Sequence, residues 1–208
     1  MIARPRRCRR ILPPAALLIT LTLWSGCARS TPSRFYVLTE VPGSTAAASA
    51  EPGRGASVGV GPVSLPGYLD RLQIVTRRGA QLQVDEFERW GEPLSDGVPQ
   101  AIAAHLAATL QTERVVVFPW PAARTIEYQV VMDVTRFDGV VGGDVLLHAR
   151  WRVLGQDRKE LVLRVSSVRE ATGETGYPAL VAAMNRSLGA LSREIADSVK
   201  GLRAQPAR

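Results

Sequence analysis

The sequence predicts a single α/β domain in which a mixed, mostly antiparallel sheet carries two amphipathic helices. Three observations predict it. Residues 126–135 and 145–153 alternate apolar and polar side chains with period two, as strands with one buried and one wet face do. Residues 180–202 place Leu180, Met184, Leu188, Leu191, Ile195 and Leu202 on one stripe at steps of three or four, with one turn skipped. A second stripe, Val98, Ile102, Leu106 and Leu110, repeats every four residues and marks another helix.

In chain order, the first 26 residues read as a signal peptide. Met1–Arg10 is basic, Ile11 to about Trp24 is apolar, and Ser25-Gly26 are small. The apolar part is short of the roughly 20 residues needed to span a bilayer and contains Pro13-Pro14. Leu23-Trp24-Ser25-Gly26-Cys27 resembles the bacterial lipobox, with Trp24 standing where an aliphatic residue is usual. That resemblance implies that Cys27 becomes the first mature residue and carries lipid. Several acyl chains make such an attachment stable. By resemblance to sorting in enteric bacteria, Ala28 rather than aspartate after the cysteine points to the outer membrane, with the protein facing the periplasm. Residues 27–56 then form a tether rich in Pro, Gly, Ala and Ser, too poor in apolar surface to order itself. Within it Phe35-Tyr36-Val37-Leu38 is a short strand (about 35–39) expected to dock on the sheet. The 29 residues from 28 to 56 reach at most about 100 Å extended and about 30 Å relaxed.

The folded domain is expected over residues 57–203, followed by a disordered tail, 204–208. Val58–Ser64 is a strand and Pro66-Gly67 a turn. Leu72–Thr76 and Gln81–Val84 form a hairpin around Arg77-Arg78-Gly79-Ala80. Phe87–Leu94 reads as a loop. Ser95 or Asp96 caps a helix that runs to about Thr112. Val115–Phe118 is a strand ended by Pro119-Trp120-Pro121. The strands from Ile126, Val145 and Leu161 (to about Val168) form an antiparallel meander across short polar turns. About seven strands and two helices are enough for one core.

Composition narrows the chemistry. The 208 residues are 46% hydrophobic and 22% charged, with a net charge of +7. Five arginines and no acid lie in residues 1–26, so Cys27 onward carries 21 basic and 19 acidic side chains. The basic balance therefore belongs to the export signal, and no nucleic-acid partner is expected. Two cysteines (Cys8, Cys27) and two histidines (His105, His148) make no Cys/His zinc site and no disulfide framework. No metal or cofactor is expected. Gly59-Val60-Gly61 lacks the rest of a dinucleotide fingerprint, and neither a phosphate loop nor a GxSxG elbow occurs. Asp85, Glu86, Glu88, Glu92 and Asp96 read as a solvated acidic loop favouring the helix N-terminus. Trp151 falls on a core face. Trp90 and Trp120 sit beside prolines, where a tryptophan is a local plug or a partner anchor.

Several segments together resemble the PqiC-type auxiliary lipoproteins of ABC transport systems. These are Phe35–Leu38, Val63-Ser64-Leu65-Pro66-Gly67-Tyr68-Leu69-Asp70-Arg71, Gln73-Ile74-Val75, Phe87-Glu88-Arg89-Trp90-Gly91-Glu92-Pro93-Leu94 and Val134-Thr135-Arg136-Phe137-Asp138-Gly139. The resemblance implies a non-enzymatic envelope lipoprotein that works with an MCE-domain membrane protein and an ABC permease in lipid transport. It also leaves room for a homo-oligomer. The partner surface is expected to include Tyr68, Arg71, Trp90 and Trp120. Two other classes stay open from the residues alone: a lipoprotein that binds a lipid or small molecule in an apolar cavity, and an envelope hydrolase.

Overall fold

Strand β6 organises the molecule. The computed structural model describes residues 31–38 and 55–204; the signal peptide, Cys27, tether residues 39–54 and residues 205–208 lie outside the described residues. The elements are β1 (Arg34–Tyr36), β2 (Val58–Ser64), a 3-10 turn (Gly67–Leu69), β3 (Gln73–Arg78), β4 (Gln81–Trp90), α1 (Leu94–Leu110), β5 (Val115–Val117), β6 (Tyr128–Gly139), β7 (Asp144–Leu154), β8 (Glu160–Ala171) and α2 (Tyr177–Ala204). The described residues from Ser33 onward form one compact unit.

The eight strands make one mixed sheet. One edge of β6 runs antiparallel to β7 along its whole length, and β7 in turn pairs with β8. The other edge of β6 is shared. Its first half pairs parallel with β2 and its last residue, Gly139, with Thr76 of β3. The sheet therefore forks: β2 continues to β5, and β3 to β4 and β1. Four of the pairings are parallel, but the long ladders are antiparallel.

The fork explains the turn between β2 and β3. From Ser64, opposite Asp133, to Thr76, opposite Gly139, the chain takes twelve residue steps while β6 takes six. The surplus folds into the 3-10 turn. Pro66 enters it with its fixed φ (−60°), the Leu69 N–H donates to the Pro66 carbonyl, and Leu69 drops into the core at 2% exposure.

Both helices cover one face of the sheet. Val58 and Val60, Val130, Met132 and Val134, and Val145, Leu147, Ala149, Trp151 and Val153 point at them, and all are buried. Leu180, Met184, Leu188, Leu191 and Ile195 of α2 are buried against this layer, as are Val98, Ile102 and Leu106 of α1. Each such side chain contributes about 1.5–3 kcal/mol by leaving water. The helices meet where Gly189 admits His105, whose ring carbon would lie 3.2 Å from a Cβ at that position.

Several boundaries differ from expectation for physical reasons. β6 extends to Gly139 because a register shift between Val134 and Arg136 changes which side chains face the helices. The apolar phase moves from Val134 to Phe137, so strict alternation ends while the strand does not. β4 extends through Trp90, where the sequence alone predicts a loop over Phe87–Leu94. A bulge opposite Gln73–Val75 absorbs Asp85–Glu88, and the Asp85 carboxylate accepts from the backbone N–H groups of Phe87 and Glu88. The acidic run is solvated only in part: Glu86, Glu92 and Asp96 are exposed, whereas Glu88 is 6% exposed and accepts from Tyr36 Oη at 2.6 Å. Pro93, not Ser95 or Asp96, is the α1 N-cap, with its carbonyl accepting from Asp96 and Gly97. Gln111 takes the left-handed conformation (φ 51°) and ends α1 at Leu110. Ala204, expected in the tail, closes α2.

Candidate functional site

The face of the sheet away from the helices is the candidate site, and two of its features are built from segments distant in sequence. The first is a carboxylate cluster at the fork. Beyond the β6 bulge, Arg136 and Asp138 point away from the helices. The Asp138 side chain is fully buried even so. Tyr68 of the 3-10 turn donates its hydroxyl to Asp138 Oδ2 at 2.6 Å. Arg77 of β3 donates Nε to both carboxylate oxygens at 3.0 Å, and Arg136 Nε donates to Oδ1 at 3.0 Å. The Arg77 guanidinium also lies 5.4 Å from the centre of the Tyr68 ring, a cation–π contact. Burial pushes the Tyr68 hydroxyl above its ordinary pKa, and its hydrogen bond to the Asp138 carboxylate pushes it further. Two guanidiniums facing one carboxylate leave this corner with a net positive charge.

The second feature is an aromatic corner at β2 and β5. Trp120 lies over Gly59, where a Cβ would come within 2.6 Å of its ring. Glycine is required there because the indole takes the space of a side chain. Phe118, 51% exposed, meets Trp120 edge to face at 5.5 Å. Pro62 joins this corner to its surroundings. A depression of about 680 Å³ runs beside Trp120 to Arg124, Gln129 and Arg158. Another of about 420 Å³ crosses Val63, Val131, Arg150, Arg152 and Leu163. A smaller one reaches Ser95 at the start of α1, and Ser95 also borders the hollow at Leu65, Gly67 and Asp70 beside the 3-10 turn. The turn and the aromatic corner thus belong to one continuous surface.

The structure sorts the sequence-predicted partner residues. Tyr68 is half-buried with its hydroxyl spent on Asp138, and Arg71, two residues beyond the turn, is exposed. Trp120 is half-buried and lines the groove. Trp90 is corrected: it ends β4, is 3% exposed, and its backbone N–H donates to Leu72 O, so its ring is core and not a partner anchor. Cys27 lies outside the described residues. Sequence reasoning assigned no role to Asp138, Arg77 or Arg136; the signal was the change of apolar phase between Val134 and Phe137, which puts an aspartate inside a strand. Among the described residues no group of three or more His, Cys, Asp and Glu side chains is placed to hold a metal ion, and no helix is long and apolar enough to cross a membrane.

Solved structures share this fold. A crystal structure of an uncharacterized protein superposes with a TM-score of 0.66 at 19% identity, covering 81% of this chain and 99% of its own. A Xanthomonas campestris protein of the DUF330 family superposes with a TM-score of 0.59 at 18% identity, covering 82% and 98%. At such identities the likeness is one of fold. Among curated proteins none matches significantly. A family described as the ABC-type transport auxiliary lipoprotein component matches residues 36–196, from the end of β1 to the last third of α2. That span contains the 3-10 turn, β3 and the end of β6, whose side chains converge on Asp138, and this chain belongs to the family of ABC-type transport auxiliary lipoprotein components.

Proposed function

We propose that the protein is a non-enzymatic lipoprotein of an ABC/MCE-type lipid transport system, held at the outer membrane by lipidated Cys27 and docking the periplasmic MCE conduit there. The observation that carries this reading is the auxiliary-lipoprotein family match over residues 36–196. Export and anchoring are supported by the signal peptide and the lipobox-like run ending at Cys27. The physical need is plain. A phospholipid exposes apolar area worth about 25 cal/mol per Å² in water, so crossing an aqueous gap unaided is very unfavourable. A conduit removes that cost if its far end is held at the accepting membrane. Because β1 at Arg34–Tyr36 pairs with β4, only the short stretch between Cys27 and Arg34 separates anchor from domain, a reach of at most about 25 Å, which keeps the docking domain close to its own membrane.

The docking surface in this reading is the turn presenting Tyr68 and Arg71, with Trp120 across the same face. The full lipoprotein, extracted in detergent, is expected to capture its cognate MCE-domain partner in a pull-down. Arg71→Glu is expected to weaken capture about tenfold, since opposite charge at a docking rim changes association strongly. Cys27→Ala is expected to release the protein from the outer-membrane fraction. Undiminished capture by Arg71→Glu and by Trp120→Ala, with both variants folded, would overturn the docking surface. Outer-membrane retention of Cys27→Ala would overturn the anchor.

A further inference from the structure

The wing of the sheet made by β1, β4 and β3 leaves an apolar patch on its open face. Phe35, Leu82, Val84 and Phe87 are exposed, Phe35 most of all at 65%. The register puts all four on the face turned away from the helices. Leu82 lies across from Arg77 and Val84 across from Val75. Phe35 lies across from Arg89, and Arg89 across from Gln73. Gln73, Val75 and Arg77 alternate along β3 and so share one face, the one on which Arg77 meets Asp138. Phe87 falls two residues before Arg89 and alternates with Glu88, which is buried on the other side. Val37, in phase with Phe35 and also exposed, extends the patch toward Gly91.

Scattered exposed apolar side chains need no explanation, but a contiguous set on one face marks a surface that is covered. The carboxylates of β4 are kept off this face. Asp85 accepts from Tyr177 Oη and Glu88 from Tyr36 Oη on the helix side, and Glu86 alternates with Phe87. β1 and β3 contain no acidic residue. The charged side chains that these three strands place among the apolar ones are guanidiniums, Arg77 and Arg89. Arginine can lay its apolar stem along such a patch and carry its charge to the rim. Two aromatic rings and three aliphatic side chains, edged by arginine and free of strand carboxylates, have the composition of a surface that rests in the interface of a bilayer.

We infer that this patch lies on the lipid bilayer that holds Cys27. Chain length says what covers it. β1 is an edge strand paired with β4 alone, and seven residue steps separate Cys27 from Arg34, a reach of at most about 25 Å. A lipid at residue 27 therefore keeps the bilayer surface within reach of the β1 edge at all times. Contact with the patch is then intramolecular, and even a weak apolar surface is occupied at so high an effective concentration. The other exposed aliphatic row, Leu161, Leu163 and Val165 on β8, is five strand spacings from β1, about 24 Å farther across the sheet. Laying the β1 wing on the membrane also fixes the docking turn, because Tyr68 lies against Arg77, the cross-strand neighbour of Leu82. The inference rests on the lipid anchor proposed above and on no protein partner.

The test reconstitutes the processed lipoprotein into phosphatidylethanolamine–phosphatidylglycerol vesicles. Cys8 leaves with the signal peptide and Cys27 is acylated in this reading, so one introduced cysteine is the one thiol to label. Val84→Cys, Phe87→Cys and, as the distant control, Leu163→Cys each carry nitrobenzoxadiazole, and quenching by a lipid bearing a nitroxide near its acyl carbonyl is measured. Quenching at residues 84 and 87 is expected to exceed that at residue 163 by at least about threefold. Phe35→Asp, at an exposed position, is expected to keep the thermal midpoint of the parent and to bring both labels down to the level of the control. Quenching at residues 84 and 87 no greater than at residue 163, or unaltered by Phe35→Asp, overturns the inference. A probe at residue 87 shielded from water yet untouched by the nitroxide lipid, in proportion to protein density, overturns it by assigning the patch to a second copy. Shielding that appears only on adding the MCE-domain protein overturns it in favour of that partner. Protein that fails to float with the vesicles overturns the anchor and this inference with it, whereas floating protein with unquenched labels overturns this inference alone.

Discussion

The Tyr68 hydroxyl donates to Asp138 Oδ2 at 2.6 Å across 70 positions of sequence, and so ties the 3-10 turn to the central strand. The bond lies at the β3 side of the fork, next to Gly139, which pairs with Thr76, and beyond the last β2 pairing at Asp133. Arg77 and Arg136 hold the same carboxylate from either side. The exposed docking turn is therefore positioned by a group that is itself fully buried.

Removing either partner separates its share. Tyr68→Phe keeps the ring and its contact with Arg77 and loses one hydrogen bond to a charged group, a cost of about 1.5 kcal/mol. Asp138→Asn leaves two partly buried guanidiniums without their counter-ion, at about 3 kcal/mol. Urea unfolding checks both. Because the bond is shared, the double variant is expected to cost less than the sum of the singles. Strict additivity would mean that the two groups do not interact in solution.

A second buried link joins the sheet to α2. Trp151 is 1% exposed, and its Nε1 donates to Ser166 Oγ at 2.9 Å on the neighbouring strand. Ser166 donates in turn to the Glu194 carboxylate. Ser166→Ala leaves the indole N–H buried with no acceptor at its old partner's place, at a cost of about 1–3 kcal/mol. Glu194 is exposed, so Glu194→Gln is expected to cost about 0.5 kcal/mol or less. Thermal unfolding of the two variants side by side checks the contrast.

Regular elements were legible in the sequence because each repeats a local rule. The stripe of α2 and the alternation of β7 need no knowledge of what they pack against. Trp90 shows where that stops. Prolines and glycines around it read as a loop, but the pairing of Gln73 with Arg89, and of Phe35 with Arg89 and Tyr36 with Trp90, extends β4 by tertiary contact alone. The Asp138 cluster was illegible for the same reason. Its members come from the turn, β3 and β6, and they meet through the parallel placement of β2 and β3 along one edge of β6, which periodicity cannot reveal.

Gly59 and Trp120 form a pair that can be tested by compensation. A methyl at residue 59 would come within 2.6 Å of the indole. Gly59→Ala is expected to cost about 1–3 kcal/mol as the ring is pushed outward, and to shift tryptophan emission to the red. Trp90 and Trp151 are both buried and neither is among the atoms a Cβ at residue 59 would meet, so in protein prepared without residues 1–26, and hence without Trp24, the shift reports Trp120. In a Trp120→Ala background the same glycine substitution is expected to cost about 0.5 kcal/mol or less, because the space is then empty.

Tyr177 at the start of α2 gives the fold an alkaline limit. Its hydroxyl donates to Asp85 Oδ2 at 3.1 Å, beside Glu88 and Tyr36. Burial, then the hydrogen bond to Asp85 and the negative charges of Asp85 and Glu88, push its pKa from 10.0 up to about 12. The folded state therefore holds this proton more tightly than the unfolded chain does. Its contribution is fully present below pH 10 and is lost as pH rises from 10 toward 12, when the unfolded tyrosine ionises first. The protein is expected to lose stability across that window faster than Tyr177→Phe, which has no proton to lose there. The urea midpoints of the two should converge as pH approaches 12. Parallel loss in both proteins would assign the alkaline limit to other groups.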